Sequence, residues 1–164
     1  MIKAAIFDLD GTLVNLPINY EALSEEFKKI IGIPNIEPVT ETVAALNTTR
    51  KEKVFDAWTD AELAILPKMT DIKEGMKLYQ QYIGNRRALV TMQGRKTAEK
   101  ILNTLNLSFQ VIITREDSLD RTAQIRTAIE KLRLKPENVI VIGDRENDKT
   151  AARKVGCKFK MVKA

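Results

Sequence analysis

The chain has no histidine and one cysteine, Cys157. Without histidine, Ser–His and Cys–His nucleophilic pairs are excluded, and the commonest transition-metal ligand is missing. A structural zinc site has too few ligands left to form. The lone thiol has no internal disulfide partner, which fits a reducing compartment. No apolar run approaches the ~20 residues that cross a bilayer, so no membrane partner is expected. The first strand candidate starts at Ile2 and leaves no room for a signal peptide, so the expected location is cytoplasmic. Aromatic residues are 5% of the chain and do not interleave with basic ones as a nucleic-acid stacking platform requires; no nucleic-acid partner is expected. Any catalysis is left to carboxylates, hydroxyls, amines, guanidinium groups or a metal held by oxygen. Magnesium suits that donor set best.

What is present is a globular composition. The 164 residues, 44% hydrophobic and 30% charged, suit one compact domain with a small insertion. The net charge of +5 is uneven: residues 1–84 are net acidic and 85–164 net basic. A basic half can steer an anionic substrate, although solvated helix faces give the same count. The most informative segment is the first. Lys3-Ala-Ala-Ile-Phe leads into Asp8-Leu-Asp10-Gly11-Thr12-Leu13-Val14. A short apolar run of this kind reads as a buried strand that delivers carboxylates to a sheet edge. Residues i and i+2 of a strand share a side, so Asp8 and Asp10 are expected to crowd each other, and Gly11 lets the backbone turn after them. Crowded carboxylates repel unless a cation or a shared proton lies between them. The spacing predicts a divalent metal and phosphate chemistry.

Residues 15–74 read as purely helical, with no strand candidate. Tyr20, Leu23, Phe27, Ile30 and Ile31 follow helical spacing up to Gly32, and a shorter helix follows Pro34 and Pro38. Thr49-Arg-Lys-Glu52 has the form of a capping box ahead of Val54, Trp58, Ala61 and Ile65, and Pro67 stops that helix. Asp71-Ile-Lys-Glu74 is expected to cap a helix closed by Gly84. Strands and helices then alternate. Strands near 88–91, 109–114, 139–143 and 158–162 are separated by helices near 97–105, 122–132 and 147–155. That order implies an α/β fold: a Rossmann-like parallel sheet with helices on both faces and a small all-helical cap inserted after the first strand. The expected division is a core of residues 1–14 and 71–164 and a cap of 15–70. Ligands of such sheets bind beyond the carboxyl ends of the strands. Those ends carry Asp8 and Asp10, Thr91, Thr114 and Asp144.

These residues carry a resemblance to a family. The segment from Asp8 to Val14 resembles the first motif of the haloacid dehalogenase superfamily, most of whose members are phosphatases. Val90-Thr91 resembles the second motif, and Gly143-Asp144-Arg145-Glu146-Asn147-Asp148 the acidic fourth. The helical insertion falls where this family's type-1 cap sits. The resemblance implies a magnesium-dependent phosphatase for a small phosphorylated metabolite. Asp8 would attack phosphorus to form an aspartyl-phosphate, and Asp10 would serve as general acid and then base. Magnesium would sit on the Asp8 and Asp144 carboxylates and the Asp10 backbone carbonyl, with Asp148 in support. Thr91 Oγ1 and the Met92 amide would hold phosphoryl oxygens. The third motif departs from the family, which places a Lys near the start of the helix before the fourth motif. Here Arg121 is the candidate, ahead of Arg115 and Lys96.

Plainer readings exist for each residue. Asp10 before Gly11 suits a turn, Asp144 after Gly143 suits a helix N-cap, and Thr91 suits a helix start. Arg121 suits an exposed helix surface, and Tyr20, Phe27, Phe55 and Trp58 suit a cap core. Other functions share the same acids: a phosphomutase similar to β-phosphoglucomutase, a phosphoacceptor similar to response-regulator receivers, or a partner-binding module that lost activity. The particular substrate and the oligomeric state are not legible in the residues.

Overall fold

The structure is a computed structural model that describes residues 1–163. Five short apolar segments form one parallel sheet: β1 (Ala4–Phe7), β4 (Arg86–Val90), β5 (Val111–Ile113), β6 (Val139–Gly143) and β7 (Lys158–Met161). Their order is β5-β4-β1-β6-β7, every neighbouring pair is parallel, and Phe7 stands between Leu89 and Ile142 in register. The strand order reverses at β1, which leaves a crevice at the carboxyl ends of β1 and its neighbours.

Both faces of the sheet are covered, and the alternation of β1 says with what. Ala5 and Phe7 pack with Leu78 and Tyr79 of α4 (Lys73–Gln81) and with Ala98, Ile101 and Leu102 of α5 (Arg95–Leu105). Ala4 and Ile6 pack on the other face. Their partners are Ile125 and Ile129 of α6 (Arg121–Leu132) and Ala151 and Ala152 of α7 (Glu146–Val155). Burial on both sides is why these strands read as continuous apolar runs.

Three helices follow the first strand: α1 (Tyr20–Ile31), α2 (Val39–Ala44) and α3 (Thr48–Ile65). They share a separate apolar cluster of Leu23, Phe27, Ile31, Ile36, Val43 and Val54, against which Trp58 packs. Phe27 and Trp58 meet edge to face at 5.5 Å between ring centres. Leu23, Phe27 and Ile31 follow the i, i+4 spacing that the sequence displays.

The expectation that residues 15–74 hold no strand is overturned. Val14–Asn15 (β2) pairs antiparallel with Thr70–Asp71 (β3), so the two chain crossings into the helical segment are zipped together. Two-residue strands carry no periodicity to read. Two caps also differ from expectation. Asn47, not Thr49, caps α3 by accepting from Arg50 N at 2.9 Å, because Asn is at least as good a cap and sits one residue before the helix. Asp71 is spent in β3, so α4 starts after Ile72 without a side-chain cap and ends at Gln81, before Gly84.

Candidate active site

The chain leaves β1 into a turn in which Leu9 O accepts from Thr12, Leu13 and Val14 N–H groups. Gly11 sits there at φ +85°, and a Cβ on it would lie 2.2 Å from Asp144 Oδ2. Only glycine lets this turn fold and lets the loop after β6 approach so closely. That approach brings the acids together. Carboxylate oxygens of Asp8, Asp144 and Asp148 lie within 4.8 Å of one another. Asp8 is buried at the end of β1; its Oδ1 accepts from Leu9 N at 2.8 Å and from Arg121 Nη2 at 3.3 Å. Its Oδ2 is left without a protein donor among the described residues. Burial pushes the Asp8 carboxyl up to about 7; Arg121 and the Leu9 N–H oppose that push, and Asp148 and Asp144 add to it.

Arg121, at the start of α6, is the cation set against Asp8 and Asp148. It is buried, its Nε lies 3.1 Å from Asp148 Oδ1, and its Nη1 donates to Gln124 Oε1 at 3.0 Å. The alternative of an exposed helix residue is excluded by its burial. Arg115 and Lys96 do not reach the acids: Arg115 pairs with Glu62 at 2.8 Å, and Lys96 is exposed. Asp148 is committed twice, to Arg121 and to the first turn of α7, where its Oδ2 accepts from Arg145 N at 3.2 Å. Asp148, not Asp144, therefore supplies the carboxylate at the head of α7. Asp144 is partly exposed and, among the described residues, accepts only from Thr12 Oγ1, at 3.3 Å.

Asp10 behaves differently from the expectation that it crowds Asp8. Its Oδ1 accepts from Leu16 N at 2.9 Å and its Oδ2 from the Tyr20 hydroxyl at 3.4 Å. The turn at Gly11 redirects it, and the crowding falls instead on Asp8, Asp144 and Asp148. Burial raises the Asp10 carboxyl, the Leu16 N–H, Arg145 and Tyr20 pull it down, and Asp144 pushes it up.

Thr91 follows β4 directly and is buried. Its Oγ1 accepts from Gln93 N at 3.1 Å, and its carbonyl accepts from Gln124 Nε2 at 2.9 Å. Thr91, Met92, Asp8, Asp10 and Arg121 share one cavity of about 330 Å³. Thr114 does not join them; its hydroxyl is used in its own turn, donating to Glu116 Oε1 at 2.7 Å.

Gln124 and Glu62 escaped the sequence reading, and three aromatic residues read as cap core also border the cavity. Tyr20 is half exposed, and with Phe27 and Trp58 it borders the cavity as well as the helical cluster. Gln124 is fully buried; its Nε2 donates to the Thr91, Thr114 and Ser118 carbonyls while its Oε1 receives Arg121. It ties the second motif to the third, and only its i+3 spacing from Arg121 signals it. Glu62 of α3 reaches across from the helical segment. It accepts from Arg115, from Thr97 Oγ1 at 2.9 Å and from Gly94 N at 3.3 Å.

The acids fit a hard divalent cation. Three carboxylates face one guanidinium, every donor is oxygen, and Gly11 holds open the space beside Asp144 that a side chain would fill.

Comparison with known proteins agrees with this reading of the fold. Residues 5–162 match the family model described as haloacid dehalogenase-like hydrolase. The chain belongs to that family and is, by class, a hydrolase of α/β architecture. It is 24% identical over 175 residues to pyrophosphatase PpaX of Bacillus mycoides, covering 96% of this chain and 81% of that protein. Solved structures share the fold, and two serve as examples. One is a haloacid dehalogenase-like family protein from Streptococcus pneumoniae, with TM-score 0.69 and 22% identity over 96% of this chain and 83% of that one. The other is CbbY from Rhodobacter sphaeroides in complex with phosphate, with TM-score 0.71 and 18% identity over 100% of this chain and 87% of that one.

Proposed function

We propose that the protein is a magnesium-dependent phosphatase that hydrolyses a small phosphorylated metabolite through a covalent intermediate on Asp8. The observation that carries this reading is the Asp8 carboxylate, which is held through Oδ1 by Leu9 N and Arg121, has no protein donor on Oδ2 among the described residues, and is grouped with Asp144 and Asp148. Asp8 Oδ2 attacks phosphorus as the bond to the leaving oxygen breaks, and Asp10 gives that oxygen a proton. Asp10 then takes a proton from the water that attacks phosphorus, and orthophosphate leaves with Asp8 restored. Arg121, Thr91 Oγ1 and the Met92 amide hold the phosphoryl oxygens, and Arg's planar fork suits that task. Asp8, Asp144 and the Asp10 carbonyl would hold the magnesium ion, with Asp148 in support. Bound there, the ion would neutralise charge where two anions must meet.

Tyr20 and Leu16 N set the direction of the Asp10 carboxylate, which a general acid needs. Residues 15–70 act as a cap that excludes bulk water from the intermediate. The testing experiment is phosphate release from a panel of phosphate esters, with and without magnesium, by wild type, Asp8→Asn and Asp10→Asn. The expected result is magnesium-dependent release. Asp8→Asn abolishes it, and Asp10→Asn lowers it by roughly 10²–10⁴. Release by Asp8→Asn at the wild-type rate refutes the reading.

A further inference from the structure

Arg145 follows Asp144 directly, and its main chain is fixed. Its N–H donates to Asp148 Oδ2 at 3.2 Å, and its carbonyl accepts from Asp148 N at 3.1 Å and Lys149 N at 3.3 Å. Its side chain is exposed and lines the cavity that holds Asp8 and Asp10. It also lines a second cavity of about 580 Å³, which shares Thr40, Met92, Arg121 and Arg145 with the first. Arg121 supplies the contrast. It is buried, and its nitrogens are set against Asp8, Gln124 and Asp148. Among the described residues, the Arg145 guanidinium joins no salt bridge and donates no hydrogen bond. A planar fork of N–H donors is therefore left for a ligand in either cavity.

The surroundings of Arg145 indicate which part of a ligand it can meet. In the proposed reaction Asp10 protonates the leaving oxygen, so the leaving group lies on the Asp10 side of the phosphoryl group. Arg145 is near enough for its charge to act on the Asp10 carboxyl and on the Tyr20 hydroxyl that bonds to it. The helical segment places two acids on the same wall, Glu37 and Glu62. Glu62 is neutralised by Arg115 at 2.8 Å. Glu37 is exposed on the linker between α1 and α2 and is not among the charges that act on Asp10. The unspent charge on the leaving-group side is thus positive. A guanidinium fork matches two oxygens of a carboxylate or phosphate, whereas a neutral alcohol offers it one weak acceptor. A cavity of about 330 Å³ admits only a small molecule.

We propose that Arg145 is a specificity-determining residue that binds an anionic group, carboxylate or phosphate, on the leaving part of the substrate. The preferred substrate is then a small phosphate ester or anhydride that carries a second negative group, rather than the ester of a neutral alcohol. This inference rests on the phosphatase reading above and names its substrate class.

The test compares wild type with Arg145→Met and Arg145→Lys. Phosphate release is measured with magnesium from four substrates. Phosphoglycolate has a carboxylate on its leaving group, and the leaving group of pyrophosphate is itself a phosphate. Glycerol phosphate and p-nitrophenyl phosphate carry no further charge. The expected result is a wild-type preference for phosphoglycolate or pyrophosphate over glycerol phosphate, and the better of the two identifies the anionic group. In Arg145→Met, the ratio of kcat/KM for that substrate to kcat/KM for glycerol phosphate falls about tenfold or more, mainly through KM, as the loss of charged hydrogen bonds implies. Arg145→Lys, which keeps the charge without the fork, recovers part of that ratio. A wild-type preference for glycerol phosphate overturns the proposal. So does an unchanged ratio, which equal losses on every substrate would also give, since Arg145 would then act on the shared phosphoryl group. Calorimetric titration of phosphoglycolate, pyrophosphate and glycerol phosphate into Asp8→Asn, with and without Arg145→Met, reads binding apart from turnover. Weakening confined to an anion-bearing ligand supports the inference, and equal changes for all three overturn it. If no substrate releases phosphate from wild type, the phosphatase reading fails, and the titrations still judge Arg145.

Discussion

The pair of Glu62 and Arg115 joins the helical segment to the core, and breaking it is the sharpest test of how the two are held together. Both side chains are fully buried, 2.8 Å apart. Arg115 also donates to Thr59 Oγ1 at 2.7 Å and to Met92 O at 3.2 Å, and its guanidinium lies 4.4 Å from the Trp58 ring centre. Glu62 meanwhile accepts from the Gly94 N–H at the head of α5, at 3.3 Å. Removing one partner of such a pair leaves the other charge buried and uncompensated, at a cost of about 3–5 kcal/mol. At roughly 2–4 °C per kcal/mol for a chain of this size, Glu62→Gln and Arg115→Met each lower the melting temperature by about 6–20 °C. The double variant Glu62→Leu/Arg115→Met leaves no buried charge, so its loss falls short of the sum of the singles by about 2–3 kcal/mol.

The two singles differ in their response to pH. Burial already pushes the Glu62 carboxyl above its ordinary range, and Arg115, Thr97 and Gly94 N pull it back. Without Arg115 the carboxyl rises further. A carboxyl raised in the folded state costs stability above its folded pKa, and that cost fades as pH falls toward the unfolded value near ~4.3. The deficit of Arg115→Met therefore shrinks between pH 8 and pH 5. That of Glu62→Gln does not, because a guanidinium cannot shed its proton in this range. Urea unfolding at both pH values measures all four proteins. Single losses below about 1 kcal/mol, the range of exposed pairs, or strictly additive losses would refute the reasoning.

Three further outcomes are expected. A Cβ on Gly75 would lie 1.7 Å from the Thr12 backbone carbonyl, so Gly75→Ala destabilises by about 1–3 kcal/mol in urea unfolding despite alanine's better helix propensity; a stabilised variant would disprove the contact. Gly11→Ala forces a side chain onto Asp144 at a positive φ, and the rise in melting temperature produced by magnesium in wild type is lost or much reduced; an equal rise in the variant would show that Asp144 does not hold the ion. Burial pushes the Cys157 thiol up to about 11, which at pH 8 leaves about a hundredfold less thiolate than an ordinary cysteine. Iodoacetamide should therefore label the unfolded chain and spare the native one, as intact-mass spectrometry reads; rapid native labelling would contradict that burial.

The fold was largely legible because its strands are short apolar runs and its helices carry an apolar stripe. The expected strand near Lys158 and the helices near Thr97, Thr122 and Asn147 stand within two residues of those positions. The acids were legible because Asp8 and Asp144 sit where apolar runs stop. What was not legible depends on partners distant in sequence. Glu62 falls at i+4 from Trp58 and i+8 from Val54, squarely on the stripe of α3, where a charge reads as a break in the pattern. Its partner Arg115 is 53 residues away, and nothing local joins them. Thr114 failed for the opposite reason: the sequence places it at the rim, but Glu116 and Asp117 lie close enough to capture its hydroxyl and amide first.

The departure in the third motif becomes intelligible in the same terms. A lysine at position 121 would present one compact charge to the Asp8 and Asp148 carboxylates. Arginine presents a wider fork, and each arm needs an acceptor when buried. Asp8 takes one, Asp148 lies against Nε, and the third would be an orphan were Gln124 not one turn further along α6. Gln124 in turn spends its amide on the carbonyls of Thr91, Thr114 and Ser118, so the loop after β4, the turn after β5 and the head of α6 are fixed to the same group. Arg121 and Gln124 are thus one device. The longer cation is tolerated because a buried carboxamide anchors it, and that anchoring lets it hold Asp8 Oδ1 while Oδ2 stays free.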